Sequence, residues 1–438
     1  MAGKYGIITI ALLAAFVAAF VPLGSFQAQI VLSIAVFVVI LWISEVLPLH
    51  VTSLLVAILL VTLAGLPVRE VFSNYFDPVV MLLLGGFVLA FAMMKHGLDK
   101  YMAYKIMRRF SSRPRFILLG LILSTAFISM WISNTAAAAI MMPVAVAILV
   151  KNRMRPLKSR FGKAAVLGVA YGATIGGMGT VVGSTPNIIA AKYLSASGHF
   201  GFFEWFVRGF PFMLAMIVVG WIVLLVVFRP EKKFMRVDRM EHRLDRNRKT
   251  VLAIFFITVA LWLTESIHGI SNEIVAIVPI VLLYMTGMMK TEDFNNIDWN
   301  ILILIGGGLA LGYAIHAAGL DILFVSVLQG ATLSSPLEVF LLLAILGVFL
   351  TAFVSNTTAS VVYIPLVVAL ASSFGINPAN TVVVAALGVS MDFIFHFGTP
   401  PSAIAYSTKY VRMKDMAKTG FVISLIGIFM LAIMATLW

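Results

Sequence analysis

Residues 131–135 read Trp131-Ile132-Ser133-Asn134-Thr135, a polar tip between two apolar arms in a run that extends from 115 to 150. A second run, from 335 to 374, carries the same triplet as Ser355-Asn356-Thr357. About 20 apolar residues cross the roughly 30 Å of hydrocarbon in a bilayer, so each run is long enough for two arms. Polar backbone at membrane depth is tolerated only where protein or a water-filled cavity surrounds it. Each run is therefore either two ordinary spans with an external turn or a hairpin that enters and leaves on one side.

The remainder of the chain is also strongly apolar. Of its 438 residues, 61% are hydrophobic and 11% are charged, whereas a soluble domain carries about 25% charged residues. Apolar segments of membrane-spanning length recur, which predicts an all-α integral membrane protein. We interpret the first segment, 6–22, as a span and not as a cleaved leader, because Pro22, Gly24 and further spans follow it. The absence of cysteine excludes disulfides and thiolate-bound metals.

The basic residues predict the orientation in the cell (inner) membrane. The net charge is +13, and the lysines and arginines lie in short loops, which is typical of cytoplasmic loops and not of a nucleic-acid-binding surface. If loops 95–115, 151–163 and 229–249 are inside together with Lys4, Lys290 and the basic group at 409–418, only Arg69, Lys192 and Arg208 are left outside or near it. The N-terminus is then cytoplasmic, the C-terminus external, and both flanks of 115–150 cytoplasmic. Besides the runs 115–150 and 335–374, the predicted spans are 6–22, 28–47, 51–66, 79–95, 164–194, 209–228, 250–266, 272–288, 300–318, 377–408 and 417–437.

Motifs recur in the same order with an offset of about 220 residues, which indicates an internal repeat. The matched pairs are Trp42 with Trp262, Glu45 with Glu265, Gly85-Gly86 with Gly306-Gly307, Gly97-Leu98-Asp99 with Gly319-Leu320-Asp321, Ser133-Asn134-Thr135 with Ser355-Asn356-Thr357, Pro143 with Pro365, and Thr185-Pro186 with Thr399-Pro400. Span 28–47 runs inward and its counterpart 250–266 runs outward, so the predicted repeats are inverted. Inverted repeats with broken helices are the architecture of secondary transporters, whose substrate site lies near the midplane.

This repeat divides the chain into four parts. They are an N-terminal span over 1–27, a first repeat over 28–228, a basic cytoplasmic loop over 229–249 and a second repeat over 250–438. Each repeat contains one hairpin, 115–150 or 335–374, followed by one broken helix, 164–194 or 377–408.

Each Ser-Asn-Thr tip offers groups for both an anion and a cation. The amide nitrogen, the Thr hydroxyl and the N–H groups of a helix N-terminus donate hydrogen bonds to a carboxylate. The amide oxygen, the Ser hydroxyl and free carbonyls suit a sodium ion, so Asn134 and Asn356 can each serve both ligands. Small hydroxyl residues also help helices to pack in membranes. Two matched triplets between apolar arms favour a binding site over that packing role.

Glycine- and proline-rich loops follow both hairpins. Residues 176–187 contain Gly-Gly-Met-Gly-Thr and Gly-Ser-Thr-Pro-Asn, and residues 398–402 read Gly-Thr-Pro-Pro-Ser. Glycine and proline interrupt a helix and leave carbonyls without partners, and in hydrocarbon each costs several kcal/mol unless a group such as a bound cation satisfies it. A packing kink is the alternative, for which one proline would suffice. Loops of this kind at matched places in both halves indicate a site.

The triplets and loops together resemble the divalent anion/sodium symporter family, whose members carry succinate-like dicarboxylates and citrate. The resemblance covers nearly the whole chain. It implies a homodimer, eleven transmembrane helices, two re-entrant hairpins, an elevator-type motion and two sodium (Na+) sites. The first sodium site would use Ser129, Ser133, Asn134, Gly177 and Gly179, the second Thr351, Ser355, Asn356 and Gly398, and the substrate would contact Asn134, Thr135, Asn356, Thr357, Pro186 and Pro400.

Two features depart from the family pattern. The second loop ends in Pro400-Pro401-Ser402, where the family often has Pro-Pro-Asn. The segment before it carries Asp392 and His396, which are four residues apart and are expected on one helix face. They are either a proton-linked pair beside the second site or a hydrogen-bonded pair at a helix end.

The sequence thus predicts a secondary active transporter that couples sodium influx to uptake of di- or tricarboxylates such as succinate, malate, fumarate or citrate. No Lys or Arg falls in the predicted site, so a divalent anion has to be neutralised by cations or hydrogen-bond donors. The alternatives are a proton-coupled or exchange carrier of the same anions, or a sulfate or phosphate carrier. A membrane-embedded enzyme is the alternative of a different class, but no His-Glu-x-x-His motif occurs, and Glu241-His242 stands alone in a basic loop.

Overall fold

A computed structural model gives the fold. The structure describes residues 2–23, 25–110, 112–195, 200–236, 244–320, 335–371, 376–396 and 398–438. Every regular element in these ranges is a helix, as the composition predicts. Asp321 of the repeat motif, Glu241-His242, the end of the predicted second hairpin at 372–374, and Phe397 within the second broken helix lie outside the described residues.

In the first half, the helices begin and end close to the predicted spans. Their bounds are α1 Ala2–Ala18, α2 Phe26–Ser44, α3 Leu49–Thr62, α4 Val68–Ser73, α5 Pro78–Lys95, α6 Leu98–Met107, α7 Pro114–Ser129, α8 Asn134–Lys151, α9 Arg160–Gly177, α10 Thr185–Ser195 and α11 Phe202–Val227.

The second half repeats much of this order. Its described helices are α12 Arg246–Leu263, α13 Glu265–His268, α14 Asn272–Met285, α15 Trp299–Ala317, α16 Pro336–Thr351, α17 Asn356–Ala371, α18 Pro378–Ser390, α19 Pro400–Ser407 and α20 Met413–Ala435.

The helix lengths fit a protein that lies in a bilayer. Within the described ranges, six helical stretches are each long and apolar enough to cross it alone. Several further apolar helices are shorter. The long stretches are Phe26–Ser44, Val68–Lys95, Asn134–Lys151, Phe202–Val227, Trp299–Ala317 and Met413–Ala435.

Both hairpins are built by the same local signals. Each first arm begins with a proline at its first turn, Pro114 in α7 and Pro336 in α16, where the missing N–H costs no helical hydrogen bond. Each arm ends at a hydroxyl residue, Ser129 or Thr351, and a short non-helical tip precedes the next helix. In the first tip, the Ser133 side chain accepts a hydrogen bond from Ala136 N and caps α8.

The packing interlocks the two halves around the helix breaks. The arms α7 and α8 lie against α9, and the arms α16 and α17 lie against α18. After each break the chain crosses to the other half, since α10 packs on α17 and α18 while α19 packs on α8 and α9. A second group forms where α3 packs on α15 and α5 on α14, and it touches the first through α17 and α10. The inverted relation of the repeats, their boundaries and the eleven spans stay predictions.

Close approach of α7 and α9 depends on small residues on one face of α9. A Cβ atom on Gly172 would lie 2.8 Å from Ile122 O, and one on Gly176 would collide with Ala126 O. In the second half, a Cβ on Gly347 of α16 would lie 2.9 Å from Val389 N of α18. Backbones that approach so closely hold the tip of each hairpin against the helix break beside it.

Candidate functional site

The first hairpin tip gathers oxygen atoms around one serine. Ser129 Oγ lies 2.7 Å from Asn134 Oδ1 and 2.7 Å from the carbonyl oxygen of Ala173. The serine is fully buried, and its hydroxyl has one proton, which can satisfy only one of the two acceptors. The arrangement therefore has more lone pairs than protons, a state that a bound cation relieves.

Gly177 leaves room for a fourth oxygen, the carbonyl of Gly183, near Asn134 Oδ1. A Cβ atom on Gly177 would collide with Asn134 Oδ1 and would lie 2.9 Å from the carbonyl oxygen of Gly183. Only glycine leaves the amide and the carbonyl in these positions. We call Ser129 Oγ, Asn134 Oδ1, Ala173 O and Gly183 O the first oxygen cluster.

The loop between α9 and α10 is held in shape by Asn187. Its Nδ2 donates to the carbonyls of Gly177 and Thr180, at 2.7 Å each. The Thr180 hydroxyl in turn donates to Met130 O at 2.5 Å, which fastens the loop to the hairpin tip. Asn187 is part of the loop motif in the sequence, but no role was predicted for it. Its position directly after Thr-Pro in a broken helix was the signal that could have indicated this role.

Two residues expected at the first sodium site lie outside the first oxygen cluster. Ser133 is exposed and its hydroxyl is used to cap α8. Gly179 faces a methionine, since a Cβ there would lie 2.6 Å from Met213 Sδ. Of the residues expected there, the structure brings together Ser129, Asn134 and Gly177, and it adds the carbonyls of Ala173 and Gly183.

The second hairpin tip repeats the central contact of the first. Thr351 Oγ1 donates to Asn356 Oδ1 at 2.5 Å, with the same five-residue spacing as Ser129 and Asn134. Ser355 Oγ lies 2.9 Å from Thr358 Oγ1, so it belongs to the start of α17 rather than to this contact. We call Thr351 Oγ1 and Asn356 Oδ1 the second oxygen cluster.

Gly398, which was expected at the second sodium site, lies against a carboxylate. A Cβ on Gly398 would collide with both oxygens and Cγ of Asp392. Asp392 is only 1% exposed, and within the described residues neither of its oxygens has a hydrogen-bond partner. A buried carboxylate without a partner is costly as an anion, so it requires a counter-ion or a proton.

The expectation that Asp392 and His396 share a helix face is wrong. Helix α18 ends at Ser390 and α19 begins at Pro400, so both residues lie in the non-helical segment between the two helices. The His396 ring stacks on Tyr406, with centroids 4.4 Å apart, and its Nδ1 lies 3.2 Å from Met413 Sδ.

The residues expected to bind the substrate surround both tips. Thr357 Oγ1 lies 3.4 Å from Thr185 Oγ1, so the start of α17 meets the start of α10. Asn134, Asn356 and Thr357 are partly exposed, Thr135 and Pro400 are exposed, and Pro186 is buried in the first turn of α10.

Helix N-termini supply positive potential at this site. Helices α8, α10, α17 and α19 begin at Asn134, Thr185, Asn356 and Pro400. The positive ends of their helix dipoles favour an anion. A carboxylate can therefore be bound at the tips without an arginine or lysine side chain.

We expect Asn187→Ala to lower uptake of the transported anion at least about tenfold, because two buried carbonyls lose their donor. Uptake by purified protein in liposomes measures this. Asn380→Ala is the matched control, since Asn380 Nδ2 donates to a single carbonyl, Ala435 O, at 3.2 Å and lies on α18 away from the loop. Equal uptake by the two variants would remove Asn187 from the site.

Comparisons with known proteins agree over the whole chain. The family model described as the sodium:sulfate symporter transmembrane region matches residues 4–438. The sodium-dependent dicarboxylate transporter SdcS of Staphylococcus saprophyticus is 31% identical over 439 residues, which cover 91% of this chain and 83% of that protein. An uncharacterized transporter of Haemophilus influenzae is 32% identical over 421 residues, with 92% and 90% covered.

A solved structure shows likeness of fold. The YdaH transporter of Alcanivorax borkumensis superimposes with a TM-score of 0.61 at 14% identity, covering 87% of this chain and 88% of that one. The family model describes a symporter, and both curated relatives are named transporters. Of the two predicted classes, these comparisons support a carrier and not a membrane-embedded enzyme. The chain belongs to the sodium:sulfate symporter family of multi-pass membrane transporters, the divalent anion/sodium symporters that its paired triplets resemble.

Proposed function

We propose that the protein couples the inward movement of sodium to uptake of di- or tricarboxylate anions of the succinate, malate, fumarate and citrate class. The observation that carries this proposal is the pair of oxygen clusters, Ser129 with Asn134 and Thr351 with Asn356, one at each hairpin tip. The named function of the relative SdcS, a sodium-dependent dicarboxylate transporter, supports the same choice.

The first oxygen cluster fits a sodium ion. Its four atoms are a hydroxyl, an amide oxygen and two carbonyls, all neutral. Sodium is a hard cation that prefers oxygen ligands, as calcium and magnesium do, and a neutral set suits its single charge. When bound, the ion would supply positive charge beside the anion, and Asn134 would hold both ligands through opposite ends of its amide.

The anion is recognised by hydrogen-bond donors and helix N-termini. Hydrogen bonds to the anion come from side chains of both halves, namely Thr135, Thr357 and the amide nitrogens of Asn134 and Asn356. Helices α10 and α19 add backbone groups beside Pro186 and Pro400. A dianion that enters such a site is neutralised by cotransported cations, because burial of two unpaired charges is prohibitively costly. This links binding of the anion to binding of sodium.

Asp392 adds charge to the second half. We propose that its carboxylate holds a cotransported cation next to Gly398, so that the second half differs from the first in carrying a formal charge. The alternative is that Asp392, with or without His396, carries a proton and couples transport to a proton gradient.

The two groups of packed helices, one around the helix breaks and one with α3 on α15 and α5 on α14, are the basis for a proposed movement of the site. We propose that α7–α11 and α16–α20 carry the oxygen clusters past a frame that contains α3, α5, α14 and α15, in an elevator-type motion within a homodimer. The N-terminus would be cytoplasmic and the C-terminus external, with the repeats inverted across the membrane.

Uptake into liposomes tests the function. Purified protein receives radiolabelled succinate, citrate or sulfate under an inward sodium gradient, an inward proton gradient or neither. We expect succinate or citrate uptake only with the sodium gradient, rising steeply with sodium and with a Hill coefficient above one. Sulfate uptake without carboxylate uptake would replace the proposed substrate. Uptake that needs neither gradient but is stimulated by internal dicarboxylate would identify an exchanger and overturn the coupling.

A further inference from the structure

A cleft of about 550 Å³ opens between the start of α7 and the end of α11. Arg113 and Arg115 line one side, Lys232 and Lys233 the other, and Leu225 and Phe234 lie at its apolar part. No carboxylate is among the described residues that line it. Four cations from two segments of chain more than 100 residues apart thus converge on one space.

The loop that supplies the lysines is fixed in place. Met235 N donates to Ser112 O at 2.9 Å, next to Arg113. The Asn152 side chain donates to Arg236 O at 2.8 Å and accepts from Arg236 N at 2.9 Å. The basic residues therefore belong to a built surface and not to a freely solvated loop.

Within the described stretch 229–236, the acidic residue is Glu231, and it is bonded elsewhere than in the cleft. Glu231 accepts a hydrogen bond from Phe161 N at 2.9 Å and from Ser159 Oγ at 2.5 Å, at the N-terminus of α9. It satisfies that helix end and is not a counter-ion for the cleft. Lys232 Nζ donates to Asn152 O at 2.7 Å and Arg113 is engaged within the chain, so Arg115 and Lys233 are the cations that the cleft offers to a ligand.

The aromatic residues beside the cleft are of the kind found at a membrane surface. Phe234 is 63% exposed although it lies among cations, an arrangement that water disfavours and a lipid interface accommodates. Trp221 of α11 donates through Nε1 to Arg115 O at 2.8 Å, and the Arg115 guanidinium lies 4.7 Å from the ring centroid of Phe116. Amphipathic aromatic side chains of this kind mark the headgroup level of a bilayer.

We propose that this cleft binds the phosphate headgroup of an anionic phospholipid, with Phe234 in contact with its glycerol and acyl region. Arg and Lys side chains bind phosphate oxygens directly, and basic pockets between membrane helices on the cytoplasmic side select anionic headgroups. The alternative is a general attraction of basic cytoplasmic loops to the membrane, which would require neither a fixed loop nor an apolar end to the cleft. Both features are present here, and they favour a specific lipid site. Because α7 is the first arm of a hairpin, the bound lipid contacts the base of that hairpin.

Lipid binding to the purified full-length chain tests the proposal by native mass spectrometry. The protein is titrated with phosphatidylglycerol, phosphatidylcholine or inorganic phosphate. We expect retention of phosphatidylglycerol over phosphatidylcholine, and a loss of its affinity of about tenfold or more in Arg115→Gln/Lys233→Gln. The matched control Lys100→Gln/Arg109→Gln removes the same charge from the same predicted face, outside the cleft, and should keep wild-type affinity.

Phe234→Ala separates a lipid from a free phosphate. We expect this substitution to weaken the binding of phosphatidylglycerol and to leave the binding of inorganic phosphate unchanged. An equal loss in the cleft and control variants, or no preference for phosphatidylglycerol over phosphatidylcholine, would overturn the proposal. Displacement of the lipid by inorganic phosphate at similar concentration would show a free-phosphate site instead.

Discussion

Replacing Gly177 with alanine is expected to abolish sodium-dependent uptake. The new Cβ would collide with Asn134 Oδ1 and stand 2.9 Å from Gly183 O, so the first oxygen cluster cannot keep its geometry. Displacement of two of four ligand oxygens should raise the sodium concentration for half-maximal uptake by about a hundredfold or more. The measurement is the sodium dependence of succinate uptake in liposomes.

A matched glycine controls for general effects of the extra methyl group. Gly220 also lies within a buried helical face, but the nearest atom to a Cβ there is Ile175 Cδ1, at an ordinary 3.6 Å. We expect Gly220→Ala to transport like the wild type. Gly177→Ala with unchanged sodium half-saturation would contradict the assignment of the first oxygen cluster.

Changing Asp392 to asparagine is expected to remove part of the sodium dependence. The carboxylate is 1% exposed and has no hydrogen-bond partner within the described part of the chain, so as an anion it depends on a counter-cation. An amide of the same shape has no charge to hold that cation. We expect the Hill coefficient for sodium to fall toward one and the half-saturating sodium concentration to rise about tenfold or more.

The neighbouring histidine distinguishes the two roles of Asp392. If Asp392 holds sodium, His396→Gln keeps the wild-type sodium dependence, because His396 stacks on Tyr406. If Asp392 carries a proton, wild-type uptake proceeds in sodium-free buffer under a proton gradient, and Asp392→Asn abolishes that component. Wild-type sodium cooperativity in Asp392→Asn would exclude Asp392 from the coupling site.

The hairpin tips could be predicted from the sequence because they depend on residue type. Apolar arms that begin with Pro114 or Pro336 and end before a Ser-Asn-Thr triplet place each helix break within a few residues of where the structure has it. The choice of Ser129 and Thr351 as partners of the two asparagines came from the family resemblance. Both contacts are present in the structure.

Other parts of the site leave no mark in the sequence. Every residue has a backbone carbonyl, so the sequence does not single out those of Ala173 and Gly183. Only the approach of α9 and the loop after it to the hairpin tip reveals them. Asp392 was expected within a helix because the residues around it are apolar. The helix ends at Ser390 instead, and Asp392 lies in the non-helical segment that precedes Pro400.

A double-label experiment measures the coupling of the sodium and succinate fluxes directly. Proteoliposomes receive radiolabelled sodium and radiolabelled succinate together, and the initial rates of both are compared in wild type and Gly177→Ala. We expect more than one sodium ion to enter with each succinate, and both fluxes to be lost in Gly177→Ala. Succinate accumulation without accompanying sodium influx would contradict the proposed coupling.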